Sequence, residues 1–147
     1  MIDPDDRVLL FRHHLPEPWL REGWLLPGGG IDADETAAEA AVREIREETG
    51  HELTLSEMVA FDSGQWRVGG RSHSTRNSYF FARVATSSVD LSGQDDRERA
   101  DLLEYRWWTV GELRASHDLI FPVGLADLLS RLTRGDVPGE PLHLQWT

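Results

Sequence analysis

The chain has 147 residues, within the ~100–200 typical of one domain and long enough to build a hydrophobic core without a disulfide or a structural metal. It has no cysteine, which excludes disulfides, thiolate zinc sites and a cysteine nucleophile. Its 15 Lys+Arg residues are all arginine and face 26 Asp+Glu, a formal net charge of −11, which excludes a P-loop or Schiff-base lysine and disfavours tight binding to duplex nucleic acid or an anionic membrane.

Asp3-Pro4-Asp5-Asp6 has turn chemistry, and the apolar run at residues 7–12 predicts a short buried strand. Pro16 and Pro18 mark a loop, and Trp24-Leu25-Leu26 forms a second apolar run, stopped by Pro27 and Gly28-Gly29-Gly30. A helix is predicted at residues 37–49. Thr36 and Glu39 have capping-box spacing, Ala38, Ala41, Val42 and Ile45 supply a core-facing stripe, and Gly50 suits a left-handed C-cap. Strands are expected at residues 53–61 and 77–84, with a polar stretch containing Gly69-Gly70 between them. The aromatic run at 105–108 predicts a strand with one of Trp107 and Trp108 buried and the other turned outward. Thr109 and Glu112 repeat the capping-box spacing. Pro122, followed by Leu125, Leu128, Leu129 and Leu132, predicts a last helix ending by Gly135, with Pro122 in its first turn. No repeat or low-complexity segment is visible. Strands and helices mix without βαβ alternation, so a mixed α/β or α+β sandwich over residues 1–147 as one domain is expected. No apolar run reaches ~18 residues and no signal pattern opens the chain, so a cytoplasmic protein without membrane association is expected. The short lead-in before Arg7 predicts either a truncated first strand or a sheet edge completed by the tail or by a homodimer partner, since an exposed edge favours dimerisation.

Between Asp32 and Glu52 stand eight acids (Asp32, Asp34, Glu35, Glu39, Glu44, Glu47, Glu48, Glu52) and two arginines, Arg43 and Arg46. Glu44, Glu47 and Glu48 are at i, i+3 and i+4 and share one side of the helix, while Glu44, Glu48 and Glu52 form a row without a base. Like-charge spacing of this kind costs only ~0.2–0.5 kcal/mol per pair, so an acidic solvated face is the plain reading. The glycines just upstream shift it. A carboxylate row suits a hard divalent cation, and a glycine turn lets a backbone carbonyl approach the same ion.

Gly29, Glu35 and Arg43-Glu44-Ile45-Arg46-Glu47-Glu48-Thr49-Gly50 stand in the register of the Nudix box, G-x5-E-x7-R-E-U-x-E-E-x-G-U, with His51 at the last aliphatic position. Residues 8–10, 24–30, 106–108 and 112–113 also resemble Nudix landmarks. The resemblance implies an α/β/α sandwich with a mixed sheet and the box as a loop–helix–loop platform. It implies water attack on phosphorus in a nucleoside diphosphate linked to a group X, such as a nucleoside triphosphate, nucleotide-sugar or ADP-ribose. Glu44, Glu47 and Glu48, with the Gly28 carbonyl, would hold Mg²⁺, with Mn²⁺ as a substitute, and Glu35 and Arg43 would support the site. The ion between protein and substrate would reconcile an acidic chain with a polyanion. The imidazole of His51 is expected to serve packing after the helix.

Outside the box, Glu47 and Glu48 are joined as catalytic candidates by Glu98 or Glu104 as general base, with Glu98 ahead because it lies in a less structured segment. Arg12, Arg67, Arg71 and Arg76 suit phosphate contacts through arginine's planar fork. Trp19 and Trp66 suit base stacking, whereas Trp24 belongs to an apolar run and is expected in the core, and His73 in solvent. Isopentenyl diphosphate isomerase, on the same scaffold, uses a cysteine that is absent here. A nucleotide-sensing module is the alternative from another class, and its usual loss of box carboxylates is not seen.

Overall fold

The computed structural model describes residues 1–15 and 21–145, with the side chains of all of these except Trp66, Val68, Arg97 and Glu98. Strand β1 (Val8–His14) is flanked by β2 (Glu22–Leu25) and β5 (Leu102–Trp108) in a three-stranded antiparallel sheet. A second sheet places β3 (Met58–Val68) between β4 (Arg71–Phe80), antiparallel, and β6 (Leu142–His143), parallel. The helices are α1 (Ala37–Thr49), α2 (Asp96–Asp101), α3 (Val110–Ala115) and α4 (Leu125–Thr133). The α+β class is as expected, with the mixed pairing confined to the second of two sheets.

Side chains alternate across a strand, and β1 buries both sets. Val8 and Leu10 join Trp24, Val59, Ala60, Trp108 and the leucines of α4. Leu9 and Phe11 join Ile45 of α1 and Val84. Helices therefore cover the two faces of β1, which explains why it is an unbroken apolar run rather than an alternating one. Trp108 is buried, but Trp107 is not turned outward as expected: it is half-buried on the opposite face against the cluster of Leu9 and Phe11, its Nε1 donating to the Ser87 carbonyl at 3.0 Å.

Three further expectations are corrected. The strands at 53–61 and 77–84 form instead one long hairpin: β3 and β4 pair from Met58↔Phe80 to Val68↔Arg71 across Gly69-Gly70, with one register shift between Met58 and Ala60. Residues 53–57 are a connection, in which Ser56 donates its N–H to the Phe81 carbonyl (2.8 Å) and accepts the Phe81 N–H on Oγ (2.9 Å). Pro122 precedes α4 rather than lying in its first turn, and Gly124, at φ 92°, is the N-cap. The first strand is neither truncated nor left with an open edge: β1 runs over Val8–His14 between β2 and β5, and the lead-in is itself paired, Ile2 donating to Ala82 (2.9 Å) and accepting from Val84 (2.9 Å). The tail supplies β6, whose register on Ala60 and Phe61 covers the inner end of β3. Among the described residues no helix is long and apolar enough to cross a membrane.

Candidate active site

Helix α1 is fixed at both ends by its sequence. The Thr36 hydroxyl accepts the Glu39 N–H (3.3 Å), and Glu39 Oε2 accepts the Thr36 N–H (2.8 Å), which holds the Glu39 carboxyl below its ordinary pKa. Gly50, at φ 72°, closes the other end with its N–H on the Arg46 carbonyl at 3.0 Å.

The buried face of α1 is Ala40, Glu44, Ile45, Glu48 and Thr49, which corrects the expected stripe of Ala38, Ala41, Val42 and Ile45. Val42 is 37% exposed, while Glu44 and Glu48 are only 8% and 7% exposed. The glycine loop makes this possible. A Cβ on Gly29 would sit on the Glu44 carboxylate, and the Gly28 N–H donates to Glu48 Oε2 at 2.8 Å. Glu52 lies beyond Gly50, outside the helix, so it does not continue the Glu44–Glu48 row.

Arg43 ties the site together. Its guanidinium contacts Glu35 twice, once with Nε at 3.1 Å from Oε2, and donates to Glu44 (2.8 Å), Glu47 (3.4 Å) and the Gly30 carbonyl (3.0 Å). Glu35 and Glu44 raise the Arg43 pKa, and Arg43, followed by the Asp32 amide, lowers that of Glu35. Glu39, occupied by the cap, is not the partner that its spacing from Arg43 suggests. One guanidinium thus serves Glu35, Glu44 and Glu47, and charge in a buried setting is costly without compensation.

Among the described residues no three acidic or histidine side chains converge tightly enough to grip an ion as they stand, because Glu44 is drawn to Arg43 and Glu48 to the Gly28 amide. The donor chemistry nevertheless fits a hard divalent cation: carboxylates on one side of a helix, Glu44 and Glu48 sheltered, beside the exposed glycines 28–30. His51, at the irregular box position, joins its Nε2 to the Ser88 carbonyl at 2.7 Å and anchors the chain after the helix.

The remaining candidates are spread out. Arg12 pairs with Glu104 (2.7 Å) and with Glu22, and lies over the Trp24 ring at 5.9 Å. Trp24 is in the core, edge-on to Trp108, as expected. Arg67, Arg71 and Arg76 lie on the β3–β4 hairpin and are exposed. Trp66 is also in that hairpin, but its side chain is outside the described residues, as is that of Glu98; Trp19 is outside them altogether. Glu98 falls in α2, a helix rather than the less structured segment expected. Sequence reasoning missed residues 90–94. The 3-10 turn Leu91–Gly93 packs on the last turn of α1 so closely that a Cβ on Gly93 would strike the Glu47 carbonyl. Gln94 is buried there with Oε1 unpartnered. The turn signal was available, since Asp90 accepts the Ser92 N–H at 2.9 Å.

Residues 1–128 match the sequence profile of the NUDIX domain. The chain belongs to this family. A nudix hydrolase of Caenorhabditis elegans is 29% identical over 115 residues, 76% of this chain and 27% of that protein. An RNA pyrophosphohydrolase of Sphingopyxis alaskensis is 30% identical over 105 residues, 63% of this chain and 64% of that protein. The chain thus spans less than two thirds of either relative. A NUDIX hydrolase structure from Nitrosomonas europaea shares the fold, with TM-score 0.65 at 20% identity over 92% of this chain and 86% of that one.

Proposed function

We propose that this NUDIX chain hydrolyses the pyrophosphate linkage of a nucleoside diphosphate joined to a group X, using a divalent cation. Glu44, Glu47 and Glu48, with the Gly28 carbonyl, would hold Mg²⁺, or Mn²⁺ in its place. The observation that carries the reading is the burial of Glu44 and Glu48 against the glycine loop, beside the more exposed Glu47. A bound cation supplies neutralisation of the diphosphate oxygens and polarisation of the attacking water.

The chain's own residues do the rest. Arg43 and Glu35 fix the loop and the facing side of α1, so the carboxylates are positioned before substrate arrives. A water oxygen forms a bond to phosphorus, the bond from that phosphorus to the bridging oxygen breaks, and the water proton passes to a carboxylate. Glu98 is the proposed base: α2 follows directly on the turn that packs against Glu47, whereas Glu104 is engaged by Arg12. X is the phosphate of a nucleoside triphosphate, the sugar of a nucleotide-sugar or of ADP-ribose, or, by the name of the Sphingopyxis relative, an RNA end.

A hydrolysis screen with product identification, with and without Mg²⁺, tests the reading on the native chain and on Glu48→Gln. Metal-dependent cleavage that falls at least about a hundredfold in Glu48→Gln is expected, since even outer-shell changes cost ~10–100-fold. Cleavage indifferent to metal and to Glu48 would contradict it, and binding without turnover would point to the sensing module.

A further inference from the structure

We infer that the outer half of the β3–β4 hairpin is a binding arm for the phosphodiester backbone of single-stranded nucleic acid, which would make X a polynucleotide. This deepens the proposed function and rests on it only for the identity of X. β6 covers β3 at Ala60 and Phe61, and beyond Asp62 the hairpin continues to Gly69-Gly70 as a ribbon of two strands. In a chain of net charge −11, no Asp or Glu occurs between Asp62 and Asp90, while four arginines do: Arg83, paired with Asp6 at 2.8 Å, and the ribbon's Arg67, Arg71 and Arg76. Arg7, Arg12, Arg43, Arg106 and Arg131 are all held by carboxylates. Among the described residues the three ribbon arginines have no carboxylate partner: Arg67 Nε reaches only the Ser72 hydroxyl, at 3.3 Å.

The register aligns the charges. Arg76 is opposite Ser63 and Arg67 opposite Ser72, so both project from the same face of the ribbon. Four residues of strand separate their levels, about 13 Å at ~3.3 Å per residue. Arg76 lies over the Phe61 ring at 5.6 Å, and Phe61 is stacked on the exposed His143 at 4.8 Å. One face therefore carries unpaired guanidinium groups in line with a flat-ring stack, the combination that holds phosphates and bases of an unpaired strand. An acidic peptide would leave the ring stack unused. A duplex hides its bases and presents a denser charge to a chain that is acidic elsewhere. β4 also borders the box helix α1, so the arm grows from the sheet beside the proposed active site.

The test is fluorescence anisotropy with a 3′-labelled single-stranded RNA oligonucleotide in EDTA, over a salt series, where hydrolysis is silent. The native chain should bind with a falling log K against log salt. Arg67→Ala/Arg76→Ala should weaken binding at least tenfold and flatten the slope by about 1.4, at ~0.7 for each phosphate no longer neutralised. Arg67→Lys/Arg76→Lys should keep the slope, which separates lost charge from a misfolded ribbon. Glu48→Gln should bind as the native chain does, so a failed arm and a failed active site give different results. No binding at low salt, an unchanged slope in the alanine variant, or equal binding of a duplex or of polyglutamate would overturn the inference.

Discussion

In α1, one arginine is shared among Glu35, Glu44 and Glu47, and two carboxylates are sheltered against glycines. In the β3–β4 ribbon, three arginines extend into solvent with no carboxylate near them in the sequence and none paired to them among the described residues. The first region concentrates negative charge where the backbone is rigid, and the second concentrates positive charge where it is exposed. Charge in this chain is segregated, so its net value of −11 is a poor guide to what any one surface binds. The contrast also separates two tasks: a rigid, wired cluster suits chemistry, while exposed unpaired arginines suit contact with a long polyanion.

The contrast can be broken first at Gly29. Gly29→Ala places a methyl group on the Glu44 carboxylate, and displacing a positioned group by about 1 Å can cost ~10²-fold. Turnover should therefore fall about a hundredfold while circular dichroism keeps the native spectrum. Full activity in this variant would show that Glu44 need not lie against the loop. A smaller effect sharpens the same contrast through pH. Glu35, Glu39 and Glu112 have folded pKa values lowered from 4.5 by Arg43 and by the capping amides. Their stabilisation is complete above 4.5 and is lost as pH falls through the lowered values. His13, held below 6.5 by burial, acts with the same sign: its unfolded form takes up a proton first as pH falls, and stability drops. The melting temperature should decline from pH 6.5 towards pH 3, and Arg67→Ala/Arg76→Ala should share the profile of the native chain. A ribbon variant with a different acid limb would mean that its arginines are paired after all.

How far the sequence could be read follows the same division. The helix at 37–49 and both capping boxes are in place because their signals are local: a hydroxyl, a carboxylate three residues on, and a glycine at the far end of the first. The outer ribbon was invisible as strand because Ser72, His73, Ser74 and Arg76 are exposed and carry no apolar alternation; cross-strand backbone pairing alone extends it. The inward turn of Glu44 and Glu48 was equally hidden. Hydrophobicity places Val42 in the core, and only the absence of a side chain at Gly29 lets a carboxylate take the buried position instead. The burial of Gln94 depends on two distant segments meeting at Gly93 and Glu47, for which no local pattern exists.

The central claim is that Glu44, Glu47 and Glu48 hold a divalent ion. Calorimetric titration of the native chain and of Glu48→Gln with Mn²⁺ tests it without any substrate. Saturable binding in the native chain, weakened at least tenfold in Glu48→Gln, is the predicted result; no binding by the native chain, or equal binding by both, would contradict it.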